Sequence, residues 1–167
     1  MQRLLKWRYW PWLRDAGLAA MLLVGIRAYQ QRNMPRGPAP SLAGTDLEGK
    51  PVLLANYRGK PVLVHFWATW CGVCNAEQSN IDALTRDFPV LSVASQSGAA
   101  PQVAGFVREH GIAPAVVVDE QGELARSFGV HSFPSSFVID ADGEIRHIEV
   151  GYTTEIGLRA RMWLARL

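Results

Sequence analysis

The chain holds two cysteines, Cys71 and Cys74, with Gly72 and Val73 between them. Two thiols at this spacing can close a local disulfide or hold a soft metal ion. The apolar run at 61–67 that precedes them reads as a strand buried on both faces. Ile81, Leu84 and Phe88 follow at helical spacing, which predicts a helix over 75–88. The pair is therefore expected where a parallel strand ends and a helix begins. A helix N-terminus offers unpaired N–H groups and positive partial charge, and both favour a thiolate. Cys71 is expected to have its pKa lowered below the ~8.5 of a free thiol and to attack disulfides. Cys74, one turn further on and more buried, is expected to resolve the mixed disulfide.

Other thiol chemistries compete with this reading. Zinc usually takes four ligands. There is no second cysteine pair, and His65, His110, His131 and His147 are not at finger-like spacing. Two thiolates suit Cu(I) better, so a copper-binding module without catalysis stays open. A thiol peroxidase of the peroxiredoxin type wants Thr or Ser three residues before its reactive cysteine, and this chain has Ala68 there and Thr69 one later. The disulfide reading needs no metal and no cofactor. With two cysteines three positions apart, no long-range structural bridge is available.

Around the pair, the 167 residues suffice for one domain and an appendage. Hydrophobic residues make up 49% and charged residues 19%, a globular balance. A net charge of +2 with no basic stripe in the body argues against nucleic acid as a partner. Apolar and turn patterns predict short strands over 42–56, a strand over 90–94 and a helix over 101–110 that Gly111 ends. They continue with a strand over 115–118, a short helix over 123–128 and strands at 136–139 and 144–150 joined by a turn at 140–143. A last helix to Leu167 is capped by Thr153 or Thr154. This order is α/β, with parallel strands in the middle and an antiparallel hairpin at one edge.

The front end is different. Residues 1–15 carry Arg3, Lys6, Arg8 and Arg14 among Trp7, Tyr9, Trp10 and Trp12, and residues 16–26 are free of charge. A crossing needs ~20 helical residues, and this run is shorter. It reaches that length, from about Trp10 to Tyr29, if Arg14 and Arg27 extend their heads to the two interfaces. The tryptophans and Tyr9 then form an aromatic belt. No A-x-A cleavage site follows, so residues 1–30 are expected to be an uncleaved membrane anchor. Residues 31–40, with three prolines and a glycine, read as a stiff tether, and 41–167 as the domain.

The segment Val62-Leu-Val-His-Phe-Trp-Ala-Thr-Trp-Cys-Gly-Val-Cys74 resembles the active-site stretch of thioredoxins, and more closely that of the membrane-anchored TlpA, ResA and DsbE group. Asp46-Leu-Glu-Gly-Lys-Pro51 to Tyr57-Arg-Gly-Lys-Pro61 resembles that group's extra N-terminal hairpin. Phe128-Gly-Val-His-Ser-Phe-Pro134-Ser-Ser-Phe-Val-Ile-Asp140-Ala-Asp-Gly143 resembles its cis-proline loop and hairpin. Met34-Pro-Arg-Gly-Pro-Ala-Pro40 and Gly151-Tyr-Thr-Thr-Glu-Ile-Gly-Leu-Arg159 are similar to the suppressor-of-copper-sensitivity D type. The resemblance implies a thioredoxin fold and protein disulfide oxidoreductase activity. It also implies a single-pass anchor in a bacterial inner membrane and a catalytic domain in the periplasm. Its partners are then periplasmic protein thiols and disulfides, and a membrane protein that gives or takes electrons. Tethering near such a donor favours the reducing direction.

The resemblance also implies that Pro134 is a cis-proline facing the disulfide, leaving the Phe133 backbone to pair with an extended substrate segment. Trp70 is expected on the surface beside Cys71, and Trp67 in the core. Glu77 matches an acidic position of the ResA-like proteins and is a candidate proton relay. It is equally readable as a first-turn acid favoured by the helix dipole. His65 stands where thioredoxins carry Asp, beneath the disulfide. It is expected to be neutral through burial, and is either a packed, hydrogen-bonded side chain or an acceptor of the Cys74 proton. Val73 departs from the proline common before the second cysteine, and Phe133 is bulkier than the usual residue before the cis-proline.

Overall fold

The computed structural model describes residues 5–166. The chain divides into two compact units, Met1–Arg32 and Asn33–Leu167. The first holds one helix, α1 (Leu5–Gln31). Its described apolar side chains, among them Trp12, Leu13, Leu18, Met21 and Val24, are exposed. Arg14 pairs with Asp15 on its surface at 3.1 Å. Among the described residues, no helix is long and apolar enough to cross a membrane. Charge at Arg14, Asp15 and Arg27 confines the apolar stretch to residues 16–26, so the expected transmembrane helix is not supported by the apolarity of α1. Arg3 and the terminal Leu167 lie outside the described residues, as do the side chains of Trp7, Tyr9 and Trp10 in the expected aromatic belt.

The second unit is built on a six-stranded sheet. In chain order its strands are β1 (Gly37–Pro38), β4 (Val62–Trp67), β5 (Val90–Ser95), β6 (Ala115–Asp119), β7 (Ser135–Ile139) and β8 (Glu144–Val150). In space they run β1-β8-β7-β4-β5-β6. β4, β5 and β6 are parallel, while β7, β8 and β1 add in antiparallel fashion. This is the predicted mixed sheet, the thioredoxin arrangement. A separate two-stranded hairpin, β2 (Ala43–Thr45) and β3 (Pro51–Leu53), accounts for the short strands read over 42–56.

Among the described residues, α2 (Gly72–Leu84), α3 (Ala100–His110) and α4 (Glu123–Ser127) connect strands of the sheet, and α5 (Glu155–Leu164) follows β8. Gly111 takes the left-handed conformation that ends α3, with φ 64°. Thr154 caps α5, its hydroxyl oxygen accepting the Gly157 N–H at 3.2 Å. α2 begins three residues earlier than the apolar spacing predicted, because Cys71 serves as its cap. It ends at Leu84, so Phe88 packs from beyond the helix.

All six residues of β4 are buried, and they alternate between two cores. Val62, Val64 and Phe66 join Phe128 and Phe137 on one face. On the other, Leu63 meets Ile81 and Leu84 of α2 and Leu158 and Met162 of α5. Trp67 meets Cys71 and Cys74, with Val103 of α3.

The expected tether over 31–40 needs correction. From Asn33 onward the chain belongs to the folded unit. Met34 is buried in the main core, and Gly37 and Pro38 pair with Ile145 and Glu144 of β8. Gly129 makes room for this: at φ 65°, a Cβ there would lie 2.3 Å from the Asn33 carbonyl oxygen. Proline-rich composition describes a free chain only when no sheet edge is open to it. β8 offers one, and proline is tolerated on an edge strand.

Candidate functional site

β4 delivers the chain to the end of the sheet, and a turn in which the Cys71 N–H donates to the Ala68 carbonyl sets up the helix. Cys71 is the N-cap of α2, with extended backbone, and its Sγ accepts the Cys74 N–H at 3.1 Å. That bond uses one of the helix's otherwise unpaired donors. Cys71 and Cys74 are joined as a disulfide. Cys71 is 8% exposed and Cys74 1% exposed. The outer sulfur is thus at the cap and the inner one in the core, in the order that attack and resolution require.

The Phe133–Pro134 bond is cis. Pro134 directly precedes β7, and its carbonyl accepts the Gly151 N–H at 2.9 Å, which ties the loop to the end of β8. Phe133 packs against the core cluster that contains both cysteines. It meets Trp70 edge to face, with ring centroids 5.7 Å apart. Trp70 is 65% exposed, yet its indole N–H donates to the Gln96 carbonyl at 2.9 Å. Gln96 is, among the described residues, the one non-glycine residue with positive φ, at 51°. The structure therefore brings Cys71, Cys74, Trp70, Phe133 and Pro134 to one end of the sheet, as the sequence led one to expect. Gln96 was missed, and no motif marks it. A carbonyl becomes a fixed support only when the backbone around it is folded.

His65 and Glu77 lie below this rim. His65 is wholly buried, and its Nδ1 is 2.9 Å from the Ser136 hydroxyl. Burial pushes its imidazole down to about 3, so the ring is neutral at working pH. Glu77 is 1% exposed on the inner side of α2, between Cys74 and Ile81. Its Oε1 accepts the Thr153 N–H at 2.8 Å. Burial raises its carboxyl to about 7, the Thr153 N–H opposes the rise and the Glu149 carboxylate adds to it. Glu77 is therefore not a surface acid held by the helix dipole. It is a buried carboxyl that can gain or lose a proton near neutral pH. His65 forms a hydrogen bond to Ser136 rather than to a cysteine. Ser136 and Glu149 were not singled out in the sequence, and Thr153 was read only as a possible cap of the last helix. A serine in a strand otherwise buried and apolar was the available signal.

Among the described residues, no group of three or more His, Cys, Asp and Glu side chains converges to hold a metal ion.

The profile of the Redoxin family matches residues 33–160. The thiol-disulfide oxidoreductase ResA of Bacillus thuringiensis is 34% identical over 134 residues, covering 73% of this chain and 76% of that protein. Among solved structures, a Chlorobium tepidum protein assigned as thiol:disulfide interchange protein DsbE aligns with TM-score 0.71. It is 26% identical, covering 79% of this chain and 98% of that one. StoA from Bacillus subtilis aligns with TM-score 0.64 at 27% identity, covering 76% and 98% respectively.

Proposed function

Because the chain belongs to the Redoxin family and is a thiol–disulfide oxidoreductase of the ResA/DsbE type, we propose that it reduces disulfides of proteins outside the cytoplasmic membrane through Cys71 and Cys74. One observation carries the reading: a disulfide capping a helix, its outer sulfur the more exposed of the two, in the cluster against which Phe133 of the cis Phe133–Pro134 bond packs. In the reducing direction the Cys71 thiolate attacks a substrate disulfide. A Cys71–substrate bond forms and one substrate sulfur leaves as a thiolate. Cys74 then attacks Cys71 Sγ, the second substrate thiolate leaves, and the Cys71–Cys74 disulfide closes. Two electrons have passed to the substrate, and a membrane dithiol donor must return them. Trp70 and Phe133 form the wall beside the reacting sulfur, and the Phe133 backbone pairs with the extended substrate. Glu77 supplies and receives the proton of Cys74.

The attachment belongs to the same proposal. Residues 1–30 hold the domain at the periplasmic face of a bacterial inner membrane. The exposed apolar side chains of α1 support this, as do the flanking tryptophans and arginines of the sequence. Arg14 and Asp15 are the charges such a helix must accommodate at an interface. The narrower kinship with the copper-sensitivity D type rests on residues 34–40 and 151–159 alone.

The deciding measurement is the reduction potential of the Cys71–Cys74 pair, equilibrated against glutathione or dithiothreitol. A value near the ~−270 mV of thioredoxin is expected. A value near ~−120 mV, that of a strong oxidant, would reverse the direction. Tight Cu(I) binding by the reduced protein with no exchange activity would favour the copper-binding alternative.

A further inference from the structure

The sheet face beneath α2 carries a row of polar side chains. Ser92 of β5, His65 of β4, Ser136 of β7 and Glu149 of β8 are direct neighbours in register, so they share one face. All four are buried. Most of the row is internally satisfied. The Trp67 indole N–H donates to Ser92 Oγ at 2.7 Å, Ser136 Oγ meets His65 Nδ1, and Arg161 of α5 pairs with Glu149 at 2.6 Å. Glu77 reaches this row from above. Leu63 and Trp67 flank His65 on the same face. The first packs with Ile81 and Leu84, the second with Cys71 and Cys74. Glu77 lies between those same two groups on α2, so it stands at the level of His65.

Two buried side-chain polar atoms among the described residues have no hydrogen-bond partner, and they are His65 Nε2 and Glu77 Oε2. A buried polar atom left without a partner carries the full cost of its desolvation. They belong to facing elements at one level, and buried water typically joins such groups.

We propose that one buried water bridges His65 Nε2 and Glu77 Oε2, and that His65 answers each protonation state of Glu77 by changing tautomer against the Ser136 hydroxyl rather than by taking up charge. When Glu77 is protonated, its O–H donates to the water and the water donates to Nε2. Nδ1–H then donates to Ser136 Oγ. When Glu77 is ionised, the water donates to the carboxylate and accepts from Nε2–H, while the Ser136 O–H turns to donate to Nδ1. The ring carries one proton throughout, on one nitrogen or the other, and remains neutral, as its burial demands. Serine is suited to the third place because its hydroxyl both donates and accepts and can rotate. His65 is thus a positioning residue. It lets Glu77 gain and lose a proton beneath the disulfide without leaving a buried polar atom unpaired. This inference rests on the exchange function only for its consequence, since the switch itself needs no substrate.

The test is histidine nitrogen NMR on the full-length protein with the disulfide closed, where neither cysteine titrates. Among the described residues, the other charged or titratable groups on this side of the sheet are Glu149 and His147 of β8 and Arg161 of α5. Between about pH 5 and about pH 9, His65 Nε2 is expected to pass from bare to protonated, and Nδ1 the reverse, with a midpoint near the value of about 7 for Glu77. Glu77→Gln is expected to abolish the change, and Glu149→Gln to keep it with a lower midpoint. A single tautomer across the range, a ring that becomes charged, or a change that survives Glu77→Gln would overturn the inference. Should Glu77→Gln fail to fold, the titration of the unaltered protein still decides. Because no substrate enters the experiment, a tautomer switch in a protein without exchange activity would refute the function alone.

Discussion

The two faces of β4 make opposite use of burial. On one face Phe66, Phe128 and Phe137 pack edge to face and tilted, with centroids 5.1–5.8 Å apart, in a core without a polar row. On the other, His65 stands between two serines in register, and α2 carries a buried carboxyl, Glu77, on its inner side. Both faces are closed to bulk solvent, but only the second keeps groups whose charge can change. In an apolar interior such groups are costly, so they persist there beside the one part of the molecule that needs a proton at a chosen place. The difference teaches that this sheet has a structural side and a chemical side, separated by the alternation of a single strand.

The sharpest division should come from the cysteines. Cys71→Ser is expected to abolish disulfide exchange with little change in folding of the reduced protein. Cys74→Ser is expected to trap a Cys71–substrate mixed disulfide, visible on a non-reducing gel. Turnover above background in Cys71→Ser would end the assignment of the attacking thiol.

On the structural side, Phe137→Ala is expected to cost about 3–5 kcal/mol in denaturant unfolding, through lost burial and the cavity left behind. The reduction potential of the surviving folded fraction should hardly move. A large shift in potential would mean that the two faces are coupled.

On the chemical side the effect is one of pH. Glu77 has its carboxyl raised from 4.5 to about 7, so the native state holds the proton more tightly and stability falls as pH rises across that interval. His65 is lowered from 6.5 to about 3, so its contribution is complete above 6.5 and is lost as pH falls towards 3. Between 4.5 and 6.5 the two slopes oppose each other, and a plateau of stability is expected there. Glu77→Gln should remove the alkaline decline and raise stability at pH 8 by on the order of 1–3 kcal/mol. A decline unchanged in Glu77→Gln would place its origin elsewhere.

His65→Asn is expected to slow resolution by Cys74 several-fold, by disturbing the partner of Glu77. An unchanged exchange rate would make His65 a packing residue only. Smallest of all, Arg146→Ala, which removes the ion pair to Asp140 at the far end of the β7–β8 hairpin, should cost about 0–1 kcal/mol and leave the potential alone. The Asp140 carboxylate keeps the backbone N–H groups of Asp142 and Glu144.

Much of this was legible in the residues themselves. The spacing of Cys71 and Cys74, the unbroken apolar run of β4, the Asp140–Gly143 turn and the glycine that ends α3 are local signals. They act through neighbours in the chain, so pattern alone identifies the elements and the reactive pair. The helix start at Cys71 was nearly so, since apolar spacing marks the buried face of a helix and not its cap.

What the tertiary structure alone decided is what depends on parts of the chain distant in sequence. Residues 33–40 read as a free tether by composition. They joined the folded unit, with Gly37 and Pro38 as an edge strand, because β8 had an open edge and Gly129 left room. His65 and Ser136 are 71 positions apart, and nothing in either segment states that their strands will meet in that register. Glu77 carries the same charge pattern as any first-turn acid until Thr153 and the sheet enclose it. Chain-local chemistry thus determined which atoms can react. Only packing determined which protons stand beside them, because burial and register are set by the whole fold at once.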